Sequence, residues 1–149
     1  MPIRCEIVSQ DRLVFEGDVD IVVAPGADGE MGILPHHAPL LTTLKPGELR
    51  VRHHGREEVF AVSGGVMEVR PDIVTVLADA AERSDEIDLA RAEEARKRAE
   101  ESLRAGPPPG SEAYLIAEAA LRRSSLRLRV ARRRRASGAG YESGSHGFT

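Results

Sequence analysis

The chain has few of the residues that build reactive sites or nucleic-acid platforms. Its 149 residues include one cysteine, no tryptophan and only five other aromatic residues. A single cysteine excludes an internal disulfide and any zinc site with several cysteine ligands. So few aromatics argue against a module that stacks bases on aromatic side chains. Because Cys5 lies in a strand-like run with no histidine beside it, we expect a packed thiol rather than a reactive one.

Long apolar runs are also missing. No uninterrupted apolar segment approaches the roughly 20 residues that a membrane-spanning helix needs. The first six residues lack the apolar stretch of a signal peptide. Apolar residues make up 41% and charged residues 30%, as in ordinary globular proteins. We therefore expect a soluble intracellular protein with one domain, or one domain plus an appendage.

Recognisable catalytic motifs are absent as well. The sequence has no Gly-x-Ser-x-Gly elbow, no His-Glu-x-x-His motif and no phosphate loop of the Gly-Lys-Ser/Thr type. The pairs His36-His37 and His53-His54 are the obvious metal or acid/base candidates. Adjacent residues on a strand point to opposite faces, so neither pair holds one ion by itself. The pattern favours a binding or mechanical role over an enzyme.

Before residue 84 the sequence predicts an all-β domain. Short runs of β-branched and apolar residues alternate with turn signals at about eight- to twelve-residue spacing. This pattern is typical of an antiparallel β-sandwich or barrel, and we assign a sandwich to residues 1–84. The predicted strands are Ile3–Val8, Leu13–Phe15, Val19–Val23, Leu49–Val51, Val59–Val62, Val66–Val69 and Ile73–Leu77.

After residue 84 the period changes to that of helices. Asp85–Arg104 is rich in Ala, Glu and Arg, with small apolar residues every three or four positions. Three prolines in Ala105–Gly110 end this helix, and Ser111 is placed to cap a second one that runs to about Arg135. We predict an antiparallel hairpin over 85–135, marginal alone and able to undock. The Gly- and Ser-rich residues 136–149 are predicted to be a disordered tail.

Charge is divided unevenly between these two parts. Residues 1–84 carry a net charge of −6 and residues 85–149 a net charge of +3. The segment 122–135 contains eight arginines and no acidic residue. Like charges repel one another, so this segment favours an anionic partner, which is an acidic protein surface, a nucleic acid or an anionic lipid.

Four motifs occur in the order found in one known family. They are Gly29–Leu41, Ser63–Val69, Val74–Asp79, and Ala81-Glu82-Arg83 followed by Ile87-Asp88. With the β-then-α organisation, they resemble the epsilon subunit of bacterial F-type ATP synthases, the homologue of the mitochondrial delta subunit. The resemblance covers residues 1 to about 131. His36 departs from the pattern, because the family usually has glycine there.

The resemblance implies a subunit of the central rotor of a proton-translocating ATP synthase, with no catalytic site of its own. In this family the sandwich binds the gamma subunit and rests on the c-ring. The loop that matches residues 29–37 faces the c-ring, which makes Glu30 and His37 contact candidates and Met31 their apolar neighbour. The implied location is the cytoplasmic face of the bacterial cell membrane, peripheral and without direct insertion.

The resemblance also implies a regulatory role for the hairpin. In this family it folds against the sandwich or extends along the shaft, where its basic second helix meets an acidic loop of the catalytic subunits, beta and alpha, and blocks ATP hydrolysis. The implied contact residues are Arg122, Arg129, Arg132, Arg133, Arg134 and Arg135.

Residues 87–92 match a pattern that some bacterial relatives use to bind ATP. By this resemblance Asp88 accepts a hydrogen bond from the adenine amino group. The residues expected at the phosphates are Arg91, Arg98, Arg123 and Arg127. The alternative is that Asp88 only caps the first helix and the arginines form surface ion pairs. No cofactor is required, and ATP would be a regulatory ligand.

Two rivals to the rotor interpretation remain. A small nucleic-acid-binding module would use the arginine-rich helix, but the acidic sandwich and the few aromatics count against it. An unrecognised small enzyme is disfavoured because no nucleophile, base and oxyanion hole can be assembled from the sequence.

Overall fold

The computed structural model describes the backbone of residues 1–146 and the side chains of residues 1–133. The chain divides into two compact units, Met1–Arg83 and Ser84–Thr149. The boundary lies within one residue of the division predicted from sequence. The first unit consists of β-strands and the second of helices, which confirms the predicted sandwich followed by a helical hairpin.

Eight strands form the first unit. Their order is β2-β1-β7-β6-β5-β3-β4, with β8 paired to β6. Neighbouring strands are antiparallel except for β1 and β7, which run parallel. The bounds are β1 Ile3–Val8, β2 Leu13–Val19, β3 Ile21–Gly26, β4 Gly29–Ile33, β5 Leu40–His53, β6 Arg56–Val69, β7 Ile73–Ala78 and β8 Ala81–Arg83.

Two segments that the sequence pattern presents as turns lie inside long strands. The segments 45–47 and 63–65 face each other where β5 pairs with β6. Gly65 has φ +137°, and a Cβ there would lie 2.2 Å from the Leu77 carbonyl oxygen. The glycines therefore allow close strand packing instead of reversing the chain.

The core of the sandwich consists of alternating side chains from these strands. In β1, Ile3, Cys5 and Ile7 are fully buried and the residues between them are not. Twenty buried residues form one apolar cluster, as the period-two pattern predicts. The packed Cys5 is confirmed, and burial raises the pKa of its thiol to about 12.

The second unit contains a short 3-10 turn and two helices, α1 (Leu89–Arg104) and α2 (Glu112–His146). The amide of Tyr114 donates to Ser111 Oγ at 3.3 Å, which confirms the predicted cap of α2. Arg132 lies 3.6 Å from Glu93, and residues at the end of α1 line a groove with the start of α2. The two helices therefore run antiparallel.

The helix ends differ from those predicted. α1 begins at Leu89 rather than Asp85, because Asp88 has an extended backbone (φ −78°, ψ 105°) and acts as the cap. α2 continues to His146, which corrects the predicted end near Arg135 and the disordered tail over residues 136–146. This stretch has no proline to interrupt the helix. Residues 147–149 of the predicted tail lie outside the described residues.

Candidate functional site

The strand β4 carries two of the predicted c-ring contacts. Glu30 is 67% exposed, and its Oε1 accepts a hydrogen bond from Arg50 Nη2 at 2.9 Å. Met31 is partly buried and packs against the core cluster. Glu30 is therefore an exposed acid held in position by an ion pair, beside a methionine anchored in the domain.

The turn after β4 carries the third contact, His37. Its amide donates to the Leu34 carbonyl at 3.2 Å, and its Nδ1 lies 2.7 Å from the Ala38 carbonyl oxygen. His36 has φ +67°, a region that glycine adopts without strain, which gives a physical reason for the family's glycine at this position. Leu34 is 57% exposed within the same turn. Sequence reasoning missed Leu34, although it lies inside the motif.

A row of exposed or half-buried apolar side chains crosses the outer face of four strands. Leu13, Val8, Leu77 and Val66 are successive cross-strand partners from β2 to β6, and we call them the apolar row. Leu13 and Leu77 are each more than half exposed.

The apolar row was also missed from the sequence, although a signal was present. Ile7, Met67 and Val76 are buried, so strict alternation places their neighbours Val8, Val66 and Leu77 outward. Apolar residues at outward positions on three adjacent strands indicate an interaction surface.

The first predicted ATP contact serves as a helix cap. Asp88 Oδ1 accepts a hydrogen bond from the amide of Arg91 at 3.2 Å, and Asp88 Oδ2 lies 3.6 Å from Arg91 Nε. The structure therefore confirms that Asp88 caps α1. Both side chains remain largely exposed, so the cap leaves atoms of each accessible to a ligand.

The other predicted ATP contacts lie further along the hairpin. Arg98 is ten residues beyond Asp88, or about 15 Å along the helix axis. It lines a groove between α1 and α2 of about 680 Å³, whose walls are mainly alanine. Arg123 lines a second groove on α2 of about 570 Å³. Ile116 belongs to both grooves, so Arg98 and Arg123 flank neighbouring surfaces. Arg127 is partly buried.

The arginine-rich segment is less uncompensated than its sequence indicates. Arg122 Nη1 lies 2.9 Å from Glu118 Oε1, and Arg132 Nη2 lies 3.6 Å from Glu93 Oε1. Polar interactions also involve Arg127, Arg129 and Arg133. The side chains of Arg134 and Arg135 lie outside the described residues. The hairpin therefore already supplies acidic partners for part of this charge.

The described part of the chain shows neither a metal site nor a membrane-spanning helix. Among residues 1–133, His, Cys, Asp and Glu side chains form no group of three that could hold a metal ion. No described helix is long and apolar enough to cross a membrane.

Comparisons with known proteins agree with this architecture. Residues 2–84 match the family model for the β-sandwich domain of the ATP synthase delta/epsilon chain, and residues 85–132 match its long α-helix domain. The ATP synthase epsilon chain of Dehalococcoides mccartyi is 55% identical over 133 residues, which are 89% of this chain and 94% of that one. The epsilon chain of Herpetosiphon aurantiacus is 52% identical over 135 residues, 91% and 98% of the two chains.

A solved structure shows the same fold. A chain in the cryo-EM structure of the Euglena gracilis mitochondrial ATP synthase superposes with a TM-score of 0.72 at 24% identity, covering 84% of this chain and 78% of that one. Two family models together span most of the sequence, and the relatives match over nearly their whole length. The chain therefore belongs to the ATP synthase delta/epsilon chain family, whose members are non-catalytic stalk subunits of that complex.

Proposed function

We propose that the chain is a central-stalk subunit that links the gamma subunit to the c-ring and regulates ATP hydrolysis through its helices. The observation that carries the proposal is the division of exposed apolar groups between two places in the sandwich. One is the apolar row, and the other is the turn after β4 with Leu34. A coupling subunit needs two such separate contact surfaces.

The apolar row fits the gamma subunit. Its side chains sit on regular, paired strands, so docking on them costs little conformational entropy. Glu6 and Glu68 lie two residues from Val8 and Val66 on the same outward face. A complementary partner surface therefore carries apolar groups bordered by basic ones.

The strand β4 and the turn after it fit the c-ring. Glu30, Met31 and His37 supply one carboxylate, one thioether and one imidazole, and Leu34 adds an exposed apolar group. The ion pair of Glu30 with Arg50 limits the freedom of the carboxylate before contact. A rigid surface that combines polar and apolar groups is suited to bind a polar loop of the c-ring.

Matched substitutions in the full-length chain separate the two surfaces. Leu77→Asp should abolish binding of the chain to the gamma subunit and leave its binding to the c-ring unaffected. Leu34→Asp should abolish binding to the c-ring and leave binding to gamma unaffected. The two leucines are nearly equally exposed, at 55% and 57%, so loss of fold is equally improbable for both. If both variants kept both contacts, or if RNA rather than gamma were recovered at high salt, the linking role would be refuted.

The arginine-rich part of α2 fits an acidic surface of the catalytic subunits in the extended state. Replacing Arg132–Arg135 with alanine should raise ATP hydrolysis by the assembled complex. Glu93→Ala is the matched control, because it breaks the same Arg132–Glu93 pair without removing a positive charge. If the inhibitory contact is electrostatic, Glu93→Ala should leave ATP hydrolysis low, whereas the variant with alanine at positions 132–135 should raise it. Equal hydrolysis by all three proteins would contradict the role.

ATP is the proposed regulatory ligand of the folded hairpin. At 100° per residue, Asp88, Arg91 and Arg98 fall within one side of α1. Arg98 borders the interhelical groove with Ile116 and Ala120. Arg123 borders the neighbouring groove on α2, and Arg127 lies one turn beyond Arg123. A polyphosphate that contacts these arginines would stabilise the folded hairpin by the mass-action term.

Thermal melts with and without millimolar ATP test this site. Asp88→Ala removes both the cap and the acceptor, whereas Asp88→Ser keeps a good capping side chain that is too short to reach a base. Loss of the ATP-induced shift in both variants supports the site. A shift that Asp88→Ser retains in full would leave Asp88 as a cap alone, and the absence of any shift in the parent would refute ATP binding.

A further inference from the structure

One side of α2 presents an apolar stripe with opposite charges at its two ends. Leu115 and Ile116 are adjacent large apolar side chains that are 53% and 62% exposed, and they form part of one apolar patch. With Ala119 they line a groove that ends at Glu112 on one side and at Arg123 on the other. We call these five residues the α2 stripe.

The spacing of the α2 stripe is that of a helix-pairing seam. Residues 112, 116, 119 and 123 are separated by four, three and four positions, as in the core positions of a coiled coil. The side of α2 that lines the groove with α1 includes Ala113, Ala117 and Ala120. At 100° per residue the stripe is centred about a third of a turn away from that side. A second helix can therefore lie on the stripe while α1 stays in place.

The α2 stripe is complementary to itself. If two copies cross antiparallel about an axis between residues 117 and 118, Glu112 faces Arg123 of the other copy. In the same register, Ile116 faces Ala119 of the other copy, so a large side chain meets a small one. Each contact occurs twice by symmetry, as an isologous interface requires. Within residues 1–133, neither Glu112 nor Arg123 has an ion-pair partner, so both are available for this pairing.

We propose that the α2 stripe is a docking face for a second copy of this chain, paired through antiparallel α2 helices. The argument for this occupant is that four of the five stripe residues match by charge or size under one two-fold axis, Glu112 with Arg123 and Ile116 with Ala119. Ile116 also borders the interhelical groove, so pairing covers the edge of that groove. The contact area is limited to a few helical turns, so the dimer is weak and dissociates on dilution.

Sedimentation equilibrium of the full-length chain in nucleotide-free buffer tests the proposal. We expect a reversible monomer–dimer equilibrium, with Ile116→Ser weakening the dimer at least about tenfold. Leu77→Ser is the matched control, since Leu77 is 55% exposed in the sandwich, and it should leave the equilibrium unchanged. A monomer at every concentration would overturn the proposal, and so would a dimer lost in Leu77→Ser but retained in Ile116→Ser.

Charge exchange tests the register. Glu112→Arg and Arg123→Glu should each weaken the dimer, because each places like charges opposite one another twice. The double variant Glu112→Arg/Arg123→Glu restores the opposite pairs and should recover the parent equilibrium. Circular dichroism of each variant shows whether the helices are retained. If the double variant is helical but stays monomeric, the antiparallel two-fold pairing is wrong.

Discussion

The sandwich and the helical hairpin are held together by different kinds of side chain. The sandwich encloses a cluster of twenty buried residues that includes Phe60, Leu49 and Met67. In α1, by contrast, only Ala92 and Ala99 are buried. Because burial stabilises by about 25 cal/mol per Å² of apolar surface, each alanine contributes far less than each large core residue.

This difference assigns separate tasks to the two units. A domain with a large core keeps its surface fixed, as the contact proposed for the apolar row requires. The first helix of the hairpin buries only alanine, although α2 also buries Leu126, Leu128 and Val130. Because packing on α1 contributes little, a ligand or partner can shift the equilibrium of the hairpin.

The largest effect is expected in the sandwich core. Phe60 is fully buried, packs edge-to-face on Phe15, and lies 5.8 Å from the Arg83 guanidinium. Phe60→Ala should lower the free energy of unfolding of the sandwich by about 3–5 kcal/mol. Urea unfolding followed by circular dichroism measures it. Ala99→Gly in α1 is the comparison and should leave the sandwich transition unchanged. If Ala99→Gly lowered the stability of the sandwich as much as Phe60→Ala, the two units would not be stabilised separately.

The thiol of Cys5 gives the stability of the sandwich a pH dependence in the alkaline range. Burial raises its pKa from 9.0 to about 12, so the unfolded thiol ionises before the folded one. This contribution to stability is intact below about pH 9. Between pH 9 and 12 it falls with rising pH, by about 1.4 kcal/mol per unit.

The variant Cys5→Ala isolates this contribution. At pH 8 the variant should be less stable than the parent. Between pH 8 and pH 10 its free energy of unfolding should fall less than that of the parent. Urea unfolding at the two pH values gives the difference between the proteins. If the free energy of unfolding fell equally in the parent and in Cys5→Ala, the Cys5 thiol would not be the protonated, buried group described above.

A moderate effect is expected at the start of α1. Asp88→Ala removes the acceptor for the Arg91 amide and should destabilise the hairpin by about 1 kcal/mol. Amide exchange in α1 should accelerate while exchange in the sandwich stays unchanged. Asp88→Ser should restore most of the protection. If α1 kept its protection in the alanine variant, the cap would be irrelevant to the hairpin.

The smallest effect is expected at His36. Its φ of +67° is strained for a side chain with a Cβ, and His36→Gly removes that strain while adding entropy to the unfolded chain. The sandwich should gain less than about 1 kcal/mol in thermal unfolding. His37→Gly, which relieves no left-handed strain, should instead lose stability. The opposite order would show that the His36 backbone is not strained.

Sequence patterns located the two units well, because each period is set by local geometry. Alternation in Ile73–Ala78 and the alanine spacing of α1 fix which side chains face inward. They failed where tertiary pairing decides the outcome. The segments 45–47 and 63–65 have turn composition, yet pairing between β5 and β6 keeps both in strands. Likewise, no local signal shows that β1 and β7 run parallel.

The surfaces were harder to predict than the fold. Leu34 is exposed in a turn that the motif already marked. The apolar row requires knowing that β2, β1, β7 and β6 are neighbours, which no single strand reveals. The pairing of Arg132 with Glu93 depends on the register of the two helices. Charge counting along the sequence therefore overestimated the uncompensated charge of α2.

The central claim is that the sandwich is a stable unit whose helical extension opens independently. Hydrogen–deuterium exchange of the full-length chain, read by peptide, tests it most directly. The account predicts that peptides from α1 and the start of α2 exchange through local openings, while peptides from β1, β6 and β7 exchange only on global unfolding. Adding urea should then accelerate exchange in the strands much more than in the helices. Identical opening free energies for the strands and for α1 would contradict the claim, because the two units would then unfold as one.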